Sequence, residues 1–213
     1  MRQENIEKIT ENALSQLNDG SDPSAMEDDW VTNFFDKSRI VSDEQMQNLW
    51  SRVLAGEANA PGTYSKRTVN FLSSLDKKDA ELFQTLCSFG WIVGSFTLLV
   101  FDPEATIYND RELNFNTLTH LDSIGLIQFN SLQEFQRLRM PKKIVVLYCG
   151  QPLTLTLKKE EDNMLPIGHV LLTNIGKEFV NVCTTSGVKG FVDYVKGKWK
   201  KYLPDEKKTE PGA

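Results

Sequence analysis

Between Val41 and Leu86 the chain reads VSDEQMQNLWSRVLAGEANAPGTYSKRTVNFLSSLDKKDAELFQTL, and helix starts and stops are plainer here than anywhere else in it. Ser42 stands where an N-cap is needed, and Gln45 three residues on completes an S-x-x-Q capping box. Val41 and Met46 are spaced for a hydrophobic staple, while Asp43 and Glu44 give the first turn the negative charge a helix dipole favours. Met46, Leu49, Trp50, Val53 and Leu54 then recur at helical spacing as one buried stripe, and Gly56 offers a stop. Pro61-Gly62 predicts a turn, and Ser65 caps a short helix carrying Val69, Phe71 and Leu72. Asp76 opens a further helix with Ala80, Leu82, Phe83, Leu86 and Cys87 on its inner side, ending near Gly90. A stretch so punctuated folds as packed helices, and it contains no recognisable reaction chemistry.

Upstream, Ile6, Ile9, Ala13, Leu14 and Leu17 predict a helix over residues 4–17, broken by the loop Asn18 to Pro23. A second helix is expected from Pro23 to Lys37, with Met26, Trp30, Phe34 and Phe35 inward. Downstream the period changes. Ser95 to Phe101 reads as a strand, Phe115 to Ile124 as a helix ended by Gly125, and Leu126 to Phe129 as a short strand. Lys143 to Cys149 and Leu153 to Lys158 flank Gly150-Gln151-Pro152 as a hairpin, and Ile167 to Leu172 is a further strand. Thr173 caps a helix bearing Ile175, Phe179 and Val182. Phe191, Val195, Trp199 and Tyr202 stripe a last, basic helix, and a flexible tail is expected over residues 204–213.

Composition excludes several classes. With 40% hydrophobic and 25% charged residues, 213 residues bury a real core and are not wholesale disordered. No apolar run is long enough for a membrane helix, and Met1 to Leu17 does not read as a secretory leader. Cys87, Cys149 and Cys183 make neither a disulfide framework nor a metal spacing, which fits a reducing, cytoplasmic setting. Residues 1–138 hold 11 Lys+Arg against 21 Asp+Glu, whereas residues 139–213 hold 13 against 8. An acidic front and a basic back predict two modules that differ in surface charge.

From residue 76 to 183 the order helix, helix, strand, hairpin, helix resembles a winged-helix module. Such domains often bind DNA through the second helix. Here Asn114 to Ile124 holds no Lys or Arg and one acid, Asp122, so it is a weak groove reader. The resemblance therefore implies a scaffold or protein contact. A second resemblance lies at the front. Asp29, Trp30, Phe34 and Phe35, then Val41 to Glu44, Met46, Gln47, Leu49 and Trp50, then Leu54 to Glu57, Pro61, Gly62, Ser65, Arg67 and Thr68 are similar to a bacterial domain family of unknown function. Its pattern is D-W-x-x-x-F-F, V-S-D-E-x-M-Q-x-L-W and L-A-G-E-x-x-x-P-G-x-x-S-x-R-T, and it implies no mechanism.

Arg52, Glu57, Ser65 and Arg67 are the polar residues of that pattern. They line a small anion or peptide site, or they brace a helix–loop–helix corner with Glu57 pairing an arginine, and bracing is the simpler reading. His120 and His169 sit in apolar contexts and read as structural, with no nucleophile signature beside them. Asp28, Asp29, Asp43 and Glu44 suit first helical turns better than a metal. Neither G-x-x-x-x-G-K-[ST] nor G-x-G-x-x-G is present, and no cofactor or metal is implied. Lys142, Lys143, Lys158 and Lys159 at the hairpin base and Lys189, Lys196, Lys198, Lys200 and Lys201 near the last helix make the best charged surface. That surface suits nucleic acid, an anionic membrane face or, most simply, the chain's own acidic front half.

The expectation is an α+β, mainly helical protein: a helical domain over residues 1–75 packed on a winged-helix-like domain over residues 76–203. Its expected function is a non-enzymatic bacterial protein–protein interaction module, an adaptor or sensor, with Trp30, Phe34, Phe35 and Trp50 as core or interface. The alternative is a nucleic-acid-binding component in regulation or anti-phage defence, and a homo-oligomer is compatible with either.

Overall fold

The structure is a computed structural model that describes residues 2–204. The expected tail beyond Pro204 lies outside the described residues. The fold is α+β. Its helices are α1 (Arg2–Leu14), α2 (Asp28–Ser38), α3 (Glu44–Asn59), α4 (Lys66–Ser74), α5 (Lys77–Cys87), α6 (Thr106–Asn109), α7 (Phe115–Ser123), α8 (Asn174–Val180) and α9 (Phe191–Trp199). Its strands are β1 (Gly90–Val93), β2 (Ser95–Leu98), β3 (Ile127–Phe129), β4 (Phe135–Met140), β5 (Lys143–Tyr148), β6 (Gln151–Thr156), β7 (Asn163–Gly168) and β8 (Val170–Leu172). The chain forms two compact units. The first holds Met1–Gln84 with Thr173–Thr184, and the second holds Thr85–Leu172 with Thr185–Ala213.

In the first unit, α3 is the central element. Trp50 is fully buried, with Phe34 edge-on to it at 5.1 Å and Trp30 stacked on Phe34 at 5.1 Å. Gln47, also buried, donates from Nε2 to Val41 O at 2.9 Å and to Asn5 Oδ1 at 3.1 Å, tying α3 to α1. The helix ends of this unit differ from expectation in four places. The cap of α3 is Asp43, whose Oδ1 accepts from Met46 N at 3.0 Å, so the Ser42–Gln45 capping box does not form. Nor does α3 stop at Gly56. The ring of Tyr64 lies against this glycine so closely that a Cβ would meet Tyr64 Cε2 at 2.7 Å, and the residue serves that contact rather than a turn. And α1 ends at Leu14, because Ser15 Oγ and Gln16 Nε2 both take the Asn12 carbonyl at 2.8 and 2.9 Å. The expected Pro23–Lys37 helix is a 3-10 turn at Pro23–Ala25 followed by α2.

Residues 173–184 complete this unit. Thr173 Oγ1 caps α8 by accepting from Gly176 N at 3.0 Å, and Phe179 is buried against Phe83 at 5.7 Å and Phe71 at 6.2 Å. This packing, reached across about a hundred intervening residues, has no signature in local periodicity.

The second unit is built on a nested ribbon. Strand β3 pairs with β8 (Ile127↔Leu172), β4 with β7 (Arg137↔Leu165) and β5 with β6 (Val146↔Leu153), all antiparallel, so residues 127–172 run out and back as one irregular hairpin. Its tip is the two-residue turn Cys149-Gly150, with φ of 46° and 77°, rather than Gly150-Gln151-Pro152. The tip strand β5 pairs with β1, which pairs with β2, giving the sheet order β2-β1-β5-β6. The winged-helix expectation took the β5–β6 hairpin as the next pairing after α7. That place belongs to β3–β8, and the hairpin is the far end of the ribbon. The strand expected over Ile167–Leu172 breaks at Gly168 (φ 89°), which comes so close to Val100 O that a Cβ there would lie 2.0 Å away.

One face of the four-stranded sheet is buried with α9. Trp91 stacks on Tyr148 at 5.0 Å and meets Trp199 edge-on at 5.6 Å, while Trp199 Nε1 donates to Pro166 O at 2.9 Å. Phe191, Val195 and Trp199 thus give the apolar face of α9 to the core of its own unit.

Candidate functional site

The polar pattern residues converge on the loop between α3 and α4. Glu57, 3% exposed on α3, accepts from Gly62 N at 2.6 Å and Tyr64 N at 2.8 Å, one bond to each carboxylate oxygen. Its partners are backbone amides, not an arginine. Tyr64 O in turn accepts from Trp30 Nε1 at 2.7 Å. Ser65 caps α4, and Glu178 of α8 accepts from Ser65 N at 2.7 Å and Ser65 Oγ at 3.1 Å. That carboxylate sits where an anion would sit at the start of α4. Glu178 is a residue that sequence reasoning missed, since it lies 113 positions from Ser65.

These groups border a cleft of about 350 Å³ that also exposes Glu27, Pro61 and Lys66. Burial first, then the charges of Glu57, Cys183 and Glu178, push the Tyr64 phenol up to about 12. The cleft is acidic and its buried acceptors are already taken, so its geometry braces a corner. Arg52 lies elsewhere, on a groove of about 220 Å³ between α3, α5 and α8, where Nη1 donates to Val182 O at 2.8 Å. Arg67 is exposed, and among the described residues its side chain makes no hydrogen bond or ion pair. Arg52 and Arg67 therefore do not share a site with Glu57.

The aromatic candidates are interior. Trp30, Phe34 and Trp50 are buried and Phe35 is half-buried, edge-on to Phe34 at 5.4 Å. Only Phe35 keeps part of its ring in solvent. His169 Nδ1 lies 2.7 Å from Asn130 O, and because a carbonyl only accepts, Nδ1 carries the proton there. Among the described residues no group of three or more His, Cys, Asp or Glu is placed to hold a metal, and no helix is long and apolar enough to cross a membrane.

The lysines of the second unit fall into two sets. Lys143, Lys158 and Lys159 are exposed at the root of the β5–β6 hairpin, but Lys142 pairs with Glu160, and Glu161 and Asp162 follow in the same turn. Lys196, Lys198, Lys200 and Lys201 are exposed on α9 and the 3-10 turn after it, Lys198 over the Tyr194 ring at 5.2 Å and Lys201 over Tyr202 at 5.0 Å. Lys189 is exposed before α9.

A different surface stands out on the sheet. The register Phe96↔Ile92↔Leu147↔Pro152 sets these four side chains in a row across all four strands, on the face opposite Trp91 and Tyr148. Ile92 is 37% exposed and Val145, on the same face beside Thr154, is 59% exposed. No curated protein and no solved structure matches the chain. A family model matches residues 1–196, nearly the whole of it, and by that match the chain belongs to the family described as Protein of unknown function (DUF2806).

Proposed function

We propose that this chain is a non-enzymatic protein–protein interaction module, an adaptor or sensor, and that it binds through the outer face of its four-stranded sheet. The row Phe96–Ile92–Leu147–Pro152 carries the reading. An antiparallel sheet with one face in water ordinarily alternates apolar inward and polar outward. Here each of the four strands gives that face one residue of an apolar row, and contiguous exposed apolar surface marks a contact site. Thr154 and Thr156 edge it with small polar groups. The double variant Ile92→Thr/Val145→Thr keeps β-compatible side chains and removes much of the apolar surface. It retains the wild-type melting midpoint within a few degrees, binds less of a hydrophobic dye, and loses the partners that wild type retains from host lysate. Partners held equally by both proteins would overturn the reading.

A second reading, a nucleic-acid-binding component in regulation or anti-phage defence, rests on the exposed lysines of the hairpin root and α9. It is the weaker one, because Glu160, Glu161 and Asp162 share the hairpin root and α7 lacks cations.

A further inference from the structure

The four-stranded sheet has two outer strands, and they are finished differently. Along β2, Arg137 Nη2 donates to Ser95 Oγ at 2.5 Å and Thr97 Oγ1 at 2.9 Å. Just beyond β2, Val100 bridges to Gly168 and accepts from His169 N at 2.7 Å. The ribbon thus covers that edge. Nothing among the described residues covers β6.

Its free groups follow from the turn. A two-residue turn makes Tyr148↔Gln151 a hydrogen-bonded pair, so Val146↔Leu153 and Ile144↔Leu155 are bonded too. Leu157 N donating to Lys142 O at 2.6 Å continues the same alternation. Pro152, Thr154 and Thr156 therefore turn their backbone groups away from β5, toward solvent. Natural sheets protect such an edge with charge, a bulge or a cover. From Gln151 to Leu157 there is no charged side chain, and the β5–β6 register is unbroken over all six pairs. Proline protects one position only.

We infer that β6 pairs antiparallel with β6 of a second copy of this chain, about a two-fold axis at Thr154. Thr154 N–H and C=O then meet those of Thr154 in the copy, and Thr156 N–H meets the Pro152 carbonyl, each bond made twice by symmetry. Pro152 has no N–H to return to the Thr156 carbonyl of the copy, so each of these outer pairs makes one bond instead of two and that carbonyl stays with water. Charge is compatible with self-pairing: Lys158 falls opposite Gly150 of the copy, so no lysine faces a lysine. An isologous contact of this kind closes on itself as a dimer. It joins two sheets edge to edge and lays their outer faces side by side. One strand pair buries less than the roughly 1,200 Å² of a standard interface, so the dimer is weak, dissociating at a concentration on the order of tens of micromolar. The pairing uses backbone edges rather than the apolar face, so it stands or falls apart from the function proposed above, and Ile92→Thr/Val145→Thr still dimerises.

Sedimentation velocity of the full chain from about 5 to 500 µM tests it across that range. The wild type is expected to move from monomer to dimer. Thr154→Pro removes an N–H that the monomer's own ladder does not use, so it stays folded by circular dichroism and monomeric throughout. Thr154→Lys sets two like charges at the axis and is also monomeric, with dimer returning as salt is raised; it decides the matter if the proline variant unfolds. A wild type that remains monomeric at the highest concentration overturns the inference, as does a dimer that both variants leave intact.

Discussion

The α3–α4 loop and the outer sheet face place their residues in opposite senses. In the loop, polar side chains turn inward: Glu57 and Glu178 satisfy the amides of Gly62, Tyr64 and Ser65, and Trp30 closes on the Tyr64 carbonyl. On the sheet, apolar side chains turn outward, with Ile92 and Val145 in water. The loop holds the most distinctive sequence of the chain, yet its residues are occupied with its own conformation. The sheet face is spelled by ordinary residues scattered from 92 to 152. Distinctiveness along the sequence therefore follows the backbone that is hardest to hold, and available surface has to be sought elsewhere.

The severest challenge to that contrast is Trp50→Ala. If the aromatic cluster is core, the substitution costs about 3–5 kcal/mol by chemical denaturation. A cost under about 1 kcal/mol would make Trp50 a surface residue and erase the distinction. Glu57→Gln comes next. It keeps the shape but offers a neutral acceptor and a donor where two amides need a carboxylate, and it costs about 1.5–3 kcal/mol. A neutral change would show that the loop holds itself.

That variant also has a pH signature. The Tyr64 phenol is raised in the folded state, so the stability it contributes is complete below pH 10 and lost as pH rises through about 12. Removing the Glu57 charge takes away one cause of the shift, so the Tyr64 phenol of Glu57→Gln ionises at lower pH and less stability is lost between pH 10 and about 12. Phenolate absorbance followed beside circular dichroism reads both events, and an unchanged onset refutes the coupling.

Smaller again is the cap of α3. Asp43→Ala costs about 0.5–2 kcal/mol, and Ser42→Ala stays within about 0.5. Thermal melts of the pair separate the two registers, and the reverse ranking would restore Ser42 as the cap. The smallest effect is expected from the lysines. Duplex and single-stranded probes should show no sub-micromolar binding near 150 mM salt, a level that screens exposed charges beyond about 8 Å. Binding that persists there, with a log–log salt slope near −0.9 per phosphate and loss on reversing Lys143, Lys158 and Lys159, would shift the active surface from the sheet to the hairpin root.

Legibility divides along the same line. The helices of the first unit follow from their stripes, because Met46, Trp50, Val53 and Leu54 report burial within one element. Asp43 against Ser42 was a contest of adjacent capable residues, which spacing does not settle. Strand β4, FQRLRM, has neither β-branched residues nor clean alternation, and β7, NMLPIG, carries a proline and a glycine; each is held by the other rather than by propensity. The β1–β2 hairpin lies inside the mostly apolar stretch Gly90 to Phe101, where Gly94 marks the turn. Glu57 was legible as a brace though its partners were not, and Glu178 was invisible. The sheet face depends on Ile92↔Leu147, a register set by the ribbon's path across more than fifty residues.

The late return of α8 has a consequence for how the molecule is made. Translation proceeds at about 5–20 residues per second, so the hundred or so residues separating Gln84 from Thr184 take roughly 5–20 s to emerge. During that interval the first unit has α1 to α4 and most of α5 but no Phe179 to cover Phe71 and Phe83, and no Glu178 at the amide of Ser65. Newborn chains therefore carry a transient greasy notch on their amino-terminal portion.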